Sequence, residues 1–245
     1  MTMEETEAVD EALVADIAAR ASGVRDRVAR AAKRAGREPS EVRLIAVTKT
    51  HPVATVRAAL AAGLTDLGEN RVDELRDKSE AVAARWHLVG QLQRNKVRDV
   101  VGRVALVHSV DRPALVDALS RRAAQLGVVQ DVLLQVNVGE DPAKGGCRLA
   151  DLPVLVSYAA ATPGLRVVGL MTVPPLPGPG TTSDEAARPH FRSLREARDR
   201  FRAEHPALEE LSMGMSDDLE AAVEEGATMV RIGSALFGSR TEAAR

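Results

Sequence analysis

The sequence predicts an α/β protein: a single (β/α)8 TIM barrel with an extra N-terminal helix. Three observations carry that prediction. Eight strand-like runs alternate with helical patterns, which argues for βαβ units and a parallel sheet, and eight such units in roughly 200 residues fit a closed barrel. No G-x-G-x-x-G follows the first strand, which weakens the alternative of an open, doubly wound dinucleotide sheet. The 245 residues show no linker and no composition break, and α/β barrels of this length routinely form one domain. The expected organisation is one domain over 1–245, with the extra helix at about 11–36 and the barrel at about 43–238.

From about Glu11 to Gly36, Leu13, Ile17, Ala21, Val24, Val28 and Ala32 recur at helical spacing, with charges between them. This reads as a long helix packed across the body of the fold, with Gly36 as its stop. The first strand is Arg43–Lys49, a short apolar run closed by Pro52, which cannot donate to a ladder. A helix over about Val53–Ala62 ends at Gly63. The strand Asp66–Asn70 and a charged helix over Arg71–Ala84 come next, then the strand Trp86–Gly90 and a basic helix over about Arg94–Val101. Strand four is Leu106–Val110. Asp111 is placed to cap the next helix, which has Pro113 in its first turn and ends near Gly127. Strand five is Asp131–Val138, followed by the Gly-rich, charged loop Gly139–Arg148 and a helix over Leu149–Ala161. Strand six, Arg166–Val173, leads into the loop Pro174–Ser183, the longest irregular stretch and a candidate lid. The helix Asp184–Glu204, strand seven at Leu211–Met215, the helix Asp217–Glu225 and strand eight at Met229–Ile232 complete the set. A last helical turn begins near Ser234.

Composition narrows the function. Lys plus Arg is 33 against 35 Asp plus Glu, and aromatics are 2%. Neither a global basic field nor a set of base-stacking platforms points to nucleic acid. The one cysteine, Cys147, excludes an internal disulfide and a cysteine metal cluster. The acidic stretch Met1–Asp10 lacks the basic start and apolar core of a signal peptide. No run approaches the ~18 apolar residues of a membrane span. A soluble, cytoplasmic protein is the expectation.

In a barrel of this kind the site lies at the C-terminal ends of the strands, often with phosphate held after strands seven and eight. Those ends read Ser212-Met213-Gly214-Met215-Ser216-Asp217 and Arg231-Ile232-Gly233-Ser234. Glycine lets an anion approach the backbone, and helix N-termini offer free N–H groups. Ser216 and Ser234 either add hydroxyl donors or serve as ordinary N-caps. Closure sets strand eight beside strand one, so Lys49 shares the mouth with Gly233 and Ser234. A lysine at the end of a buried strand either snorkels to the rim or, desolvated, becomes an amine able to form a Schiff base. An amine beside an anion cup is what pyridoxal 5′-phosphate (PLP) requires. Alternation along strand eight turns Arg231 inward with Gly233. Its partner is either an interior carboxylate such as Glu69 or the pyridine nitrogen of the cofactor.

These residues belong to a longer series: Ala46-Val47-Thr48-Lys49, Gly68-Glu69-Asn70, Trp86 to Lys96, Val136-Asn137, Lys144-Gly145-Gly146, Gly169-Leu170-Met171, Leu211 to Asp218 and Val230 to Gly238. On that series the chain resembles the YggS/PROSC family, the pyridoxal phosphate homeostasis proteins, whose fold is like the N-terminal barrel of alanine racemase. The resemblance implies that Lys49 carries PLP as a Schiff base. It implies that Ser216, Gly233 and Ser234 hold the phosphate and that Arg231 meets the ring nitrogen. It also sets Asn70, His87, Met171 and Ser212 in motifs around the same mouth. Ser234 stands where the family often has threonine, which keeps the hydroxyl.

Two functions compete. One is a carrier that stores, buffers and delivers PLP to apo-enzymes. The other is an amino-acid racemase, which needs acid–base groups on both faces of the α-carbon. In alanine racemases a tyrosine from the second domain of a partner subunit serves one face. Tyr158 is the only tyrosine here and falls mid-helix. The carrier is therefore the expectation, as a monomer, with no nucleic-acid or membrane partner.

Overall fold

The computed structural model describes residues 9–238; residues 239–245 and most of the acidic Met1–Asp10 stretch lie outside them. The extra helix is α1 (Glu11–Arg34). Asp10 caps it, its carboxylate accepting from the Ala12 and Leu13 amides at 3.0 and 3.2 Å, which satisfies two donors that have no partner within the helix. Ile17, Ala21, Val24, Val28 and Ala31 form its buried stripe.

The strands are β1 (Arg43–Val47), β2 (Asp66–Glu69), β3 (Arg85–Leu88) and β4 (Leu106–Val110). They continue with β5 (Gln130–Gln135), β6 (Leu165–Met171), β7 (Glu210–Ser212) and β8 (Met229–Ile232). All pair in parallel, in chain order, into a closed barrel. Closure runs through β8 and β1, with Leu44 opposite Val230 and Ala46 opposite Ile232. Between them lie α2 (Val53–Ala61), α3 (Val72–Ala81), α4 (Pro113–Leu126), α5 (Leu152–Ala161), α6 (Ser183–Phe201), α7 (Leu219–Glu224) and α8 (Ser234–Phe237). The (β/α)8 architecture with its extra helix is the one the sequence predicts. No helix among the described residues is long and apolar enough to cross a membrane.

Side-chain alternation divides the interior. Ile45, Leu106, Leu133, Met171 and Met229 fill the barrel. Ala46, Leu67, Leu88, Val107 and Leu134 face outward into the larger layer beneath the helices. The N-terminal end of the barrel carries charge pairs: Arg43–Glu210 at 3.6 Å, Arg85–Asp66 at 3.1 Å and Arg166–Asp131 at 2.7 Å. The opposite end is left for the site.

Several expected boundaries differ. β1 stops at Val47, because a turn closed by the His51 amide on the Thr48 carbonyl (3.1 Å) follows directly. The basic segment after β3 is a short 3-10 helix over Arg94–Asp99, and Lys96 pairs there with Asp73 at 2.8 Å. Asp111 does not cap α4: the N-cap is Arg112, and the Asp111 carboxylate takes the Arg112 guanidinium instead. α6 begins one residue early, because Thr182 and Glu185 form a reciprocal capping box.

Gly214, just past β7, has φ +95°, and a Cβ there would lie 2.4 Å from the Ala222 Cβ on α7. Gly214→Ala is expected to destabilise the fold by about 2–4 kcal/mol, combining backbone strain with overpacking. Urea unfolding midpoints measure this directly.

Candidate functional site

The site is built at the C-terminal ends of the strands, beginning with the turn after β1. Thr50 has φ +67°, rare for a β-branched residue. Glu74 on α3 holds it by accepting the Thr50 amide at 2.7 Å. Beneath the turn sits a buried ion pair. Lys78 donates to the Glu69 carboxylate at 2.6 Å and to the Thr48 carbonyl at 2.7 Å, and the Thr48 hydroxyl donates to the same Glu69 oxygen at 2.6 Å. Glu69 and Thr48 are fully buried, and Lys78 nearly so. Burial, outweighing the bonds from Lys78 and Thr48, raises the Glu69 carboxyl above its ordinary range.

Lys49 stands on this platform. It is not buried: with the strand ended at Val47, Lys49 is exposed in the turn. Its backbone carbonyl accepts the Thr50 hydroxyl. Its amine makes no hydrogen bond or ion pair among the described residues, which leaves it free to react.

The first and last strands of the barrel bring the turn after β1 against α8. The His51 ring lies 5.1 Å from the Phe237 ring of α8, and a Cβ on Gly233 would lie 3.4 Å from the Val47 carbonyl. Ser216 does not cap α7, whose N-cap is Asp218. Its hydroxyl reaches across to α8, accepting from the Ser234 hydroxyl at 3.1 Å and the Ala235 amide at 3.3 Å. The extra helix supports this cup. Arg27 on α1 forks onto Glu220 at 2.7 and 2.6 Å and donates to the Ser216 carbonyl at 2.9 Å.

Arg231 lies under the cup. It is 5% exposed and donates to the Ser212 hydroxyl at 2.7 Å and the Thr172 carbonyl at 2.8 Å. The carboxylate considered for it, Glu69, is committed to Lys78 on the helix side of β2, where alternation with Gly68 and Asn70 turns it away from the interior. Arg231 forms no ion pair among the described residues. Burial lowers its guanidinium to about 10, with Asp218 opposing, so it stays cationic at neutral pH.

The remaining predicted residues separate into two levels. Asn70 is half-buried at the rim, with no bond from its side-chain amide. The backbone of Gly90 passes so close that a Cβ would lie 2.1 Å from the Asn70 carbonyl. His87, Met171 and Ser212 are buried inside the barrel below the rim. His87 spends both ring nitrogens, on Asp66 (2.9 Å) and His108 (3.0 Å). Ser212 spends its hydroxyl on Arg231 and His108. Sequence reasoning missed Arg27, Lys78, Glu74, His108 and Thr172. His108 had a legible signal, a histidine at an inward position of an otherwise apolar strand. The others depend on contacts between distant elements.

The Pro-rich loop after β6 is fastened at its near end, where the Lys144 amine donates to the Pro174 carbonyl. Tyr158 sits on the outer layer, its hydroxyl donating to Asp117 of α4 at 2.6 Å.

The sequence model of the family described as alanine racemase, N-terminal domain, matches residues 21–241. A pyridoxal phosphate homeostasis protein of Aquifex aeolicus is 46% identical over 225 residues, 90% of this chain and 97% of that protein. The solved structure of PipY of Synechococcus elongatus PCC7942 with PLP bound has a TM-score of 0.73 at 37% identity, covering 88% of this chain and all of that one. Alanine racemase of Streptomyces lavendulae, at 20% identity and a TM-score of 0.68, covers 94% of this chain but 61% of its own, a likeness of fold alone. The chain belongs to the alanine racemase N-terminal domain family and, within it, to the pyridoxal phosphate homeostasis proteins.

Proposed function

We propose that this protein binds PLP at the mouth of the barrel and holds, buffers and delivers it without turning over a substrate. The observation that carries the reading is Arg231, a buried cation with no carboxylate salt bridge among the described residues, on the strand that leads into the serine cup. A buried cation without a salt bridge is costly, Asp218 offsets that cost only in part, and an anionic ligand with a ring nitrogen acceptor would satisfy it further. The residues present fit PLP. Lys49 would condense its amine with the aldehyde, with loss of water. Ser216, Ser234 and the Gly233–Ser234 backbone would hold the phosphate, and Arg231 would donate to the ring nitrogen. Asn70 would line the rim. When bound, PLP supplies an electrophilic aldehyde carbon and a conjugated ring able to accept electrons. Arg231 would keep its proton and leave the ring nitrogen unprotonated, which would weaken that acceptance.

A racemase is the second reading, favoured by the fold likeness alone. It needs a second acid–base group facing Lys49, and Tyr158 is committed to Asp117 on the outer layer. The carrier reading assigns the protein to a reducing cytoplasm, which the single Cys147 suits, and to a monomer.

The test is transfer. Loaded protein is mixed with a PLP-requiring apo-enzyme in the presence of a scavenger that traps free PLP. The expected result is recovery of the apo-enzyme's activity with the scavenger present. Recovery only in its absence would reject direct delivery. Alanine racemisation is expected to stay at background, and robust turnover lost in Lys49→Ala would establish the second reading.

A further inference from the structure

A hydrogen-bonded chain crosses the barrel interior from the N-terminal end to Arg231. The His87 Nε2 meets the Asp66 carboxylate at 2.9 Å, and the His87 Nδ1 meets the His108 Nε2 at 3.0 Å. The His108 Nδ1 meets the Ser212 hydroxyl at 2.9 Å, and Arg231 Nη1 donates to that hydroxyl at 2.7 Å. His87, His108 and Ser212 are all 0% exposed.

Donor counting gives this chain one direction. Arginine only donates, so the Ser212 oxygen accepts from Arg231. Among the described residues its own proton has one acceptor within reach, the His108 Nδ1. Burial holds His108 well below the ordinary histidine range, so it is neutral and carries its proton on Nε2. That N–H meets the His87 Nδ1, which must accept. His87 is pushed down by burial against the pull of Asp66, and its proton lies on Nε2, aimed at the carboxylate. The reverse direction requires a doubly protonated His87 and strands the Ser212 proton without an acceptor.

We propose that Asp66, His87, His108 and Ser212 form a positioning relay for Arg231, fixing both imidazoles as Nε2–H tautomers and holding the guanidinium toward the ring nitrogen of a bound ligand. Chained hydrogen bonds polarise one another. Asp66 thereby makes the Ser212 oxygen a better acceptor without bringing a carboxylate next to the ligand. Burial works against the Asp66 charge, but His87, Arg43 and Arg85 together hold its carboxyl below the ordinary range, so the far end stays anionic. The identity of the ligand rests on the PLP reading; the tautomers do not.

Two measurements test the relay. Nitrogen NMR of the imidazole side chains in the purified protein should show His87 and His108 each protonated at Nε2 and bare at Nδ1. A proton on either Nδ1 at neutral pH overturns the proposal. The second measurement compares the affinities of PLP and of its carbocyclic analogue, which lacks the ring nitrogen. His108→Leu should weaken PLP about tenfold, in the range of lost orienting partners, and leave the analogue nearly unchanged. His108→Asn, which restores an acceptor near the Nδ1 position, should recover part of the loss. Equal losses for both ligands would mark His108 as merely structural and overturn the relay. If the native protein binds neither compound, the PLP reading fails, and the tautomers alone still decide whether the relay exists.

Discussion

Lys49→Ala is expected to reduce covalent capture of PLP to background. Purified native protein should be yellow, and borohydride reduction followed by peptide mapping should place the adduct on Lys49. The expectation rests on three features. The Lys49 amine is exposed and unpartnered among the described residues. Its turn is held at Thr50 by Glu74 and at Thr48 by Lys78. The turn also packs against α8 through His51 and Phe237. Lys78 serves as an internal control. Its Nζ already contacts Glu69, Glu74 and the Thr48 carbonyl, and it is nearly excluded from solvent. It should not be labelled. Lys49→Arg should also lose the adduct, because a guanidinium keeps the charge but offers no neutral amine. An adduct on another lysine, or one that survives Lys49→Ala, would reject the assignment.

The barrel was legible because alternation of apolar runs with helical periodicity survives local errors. Moving a boundary by two or three residues, as at β1 and β7, leaves the order of elements intact. The site was legible in part for the same reason: the residues after β7 and β8 carry the serines and glycines, and β8 lies beside β1 by closure. Of the two partners the sequence offers Arg231, Glu69 drops out once parity is weighed beside charge. Gly68 and Asn70 share the inner face, so the residue between them cannot. For Lys49 the apolar run before it leaves burial and snorkelling to the rim both open; the turn that lifts Lys49 out is made by Thr50 and His51, with the Glu74 carboxylate accepting the Thr50 amide. Lys78 and Arg27 read as ordinary charges on helix surfaces. Only the packing of α3 against β2, and of α1 against α7, turns them into supports for the site.

The second large effect is expected at Lys78. Lys78→Met should cost about 3–5 kcal/mol, because removing one member of a buried ion pair leaves the other uncompensated. At about 2–4 °C per kcal/mol for a chain of this size, Tm should fall by about 6–20 °C. Glu69 is poorly placed to tolerate the loss: one of its two oxygens, Oε2, already has no hydrogen-bond partner. The sign of the pH dependence follows from Glu69. Its folded-state pKa is already raised by burial, and loss of Lys78 raises it further. A carboxyl raised in the folded state contributes its stability below its unfolded pKa and loses it as pH rises through the folded one. The deficit of Lys78→Met should therefore be largest at neutral pH and shrink as pH falls through the raised folded-state range of Glu69, toward the ordinary glutamate range. The double variant Glu69→Gln with Lys78→Met should recover most of the stability at neutral pH, since a neutral pair carries no desolvation penalty of that kind. An equally unstable double variant, or a deficit independent of pH, would show that Lys78 acts through packing alone. The double variant also separates fold from chemistry. It keeps the barrel but removes the donor from the Thr48 carbonyl, one of the two anchors of the Lys49 turn. Its Lys49 should capture PLP more slowly than the native lysine, in a protein of nearly native stability.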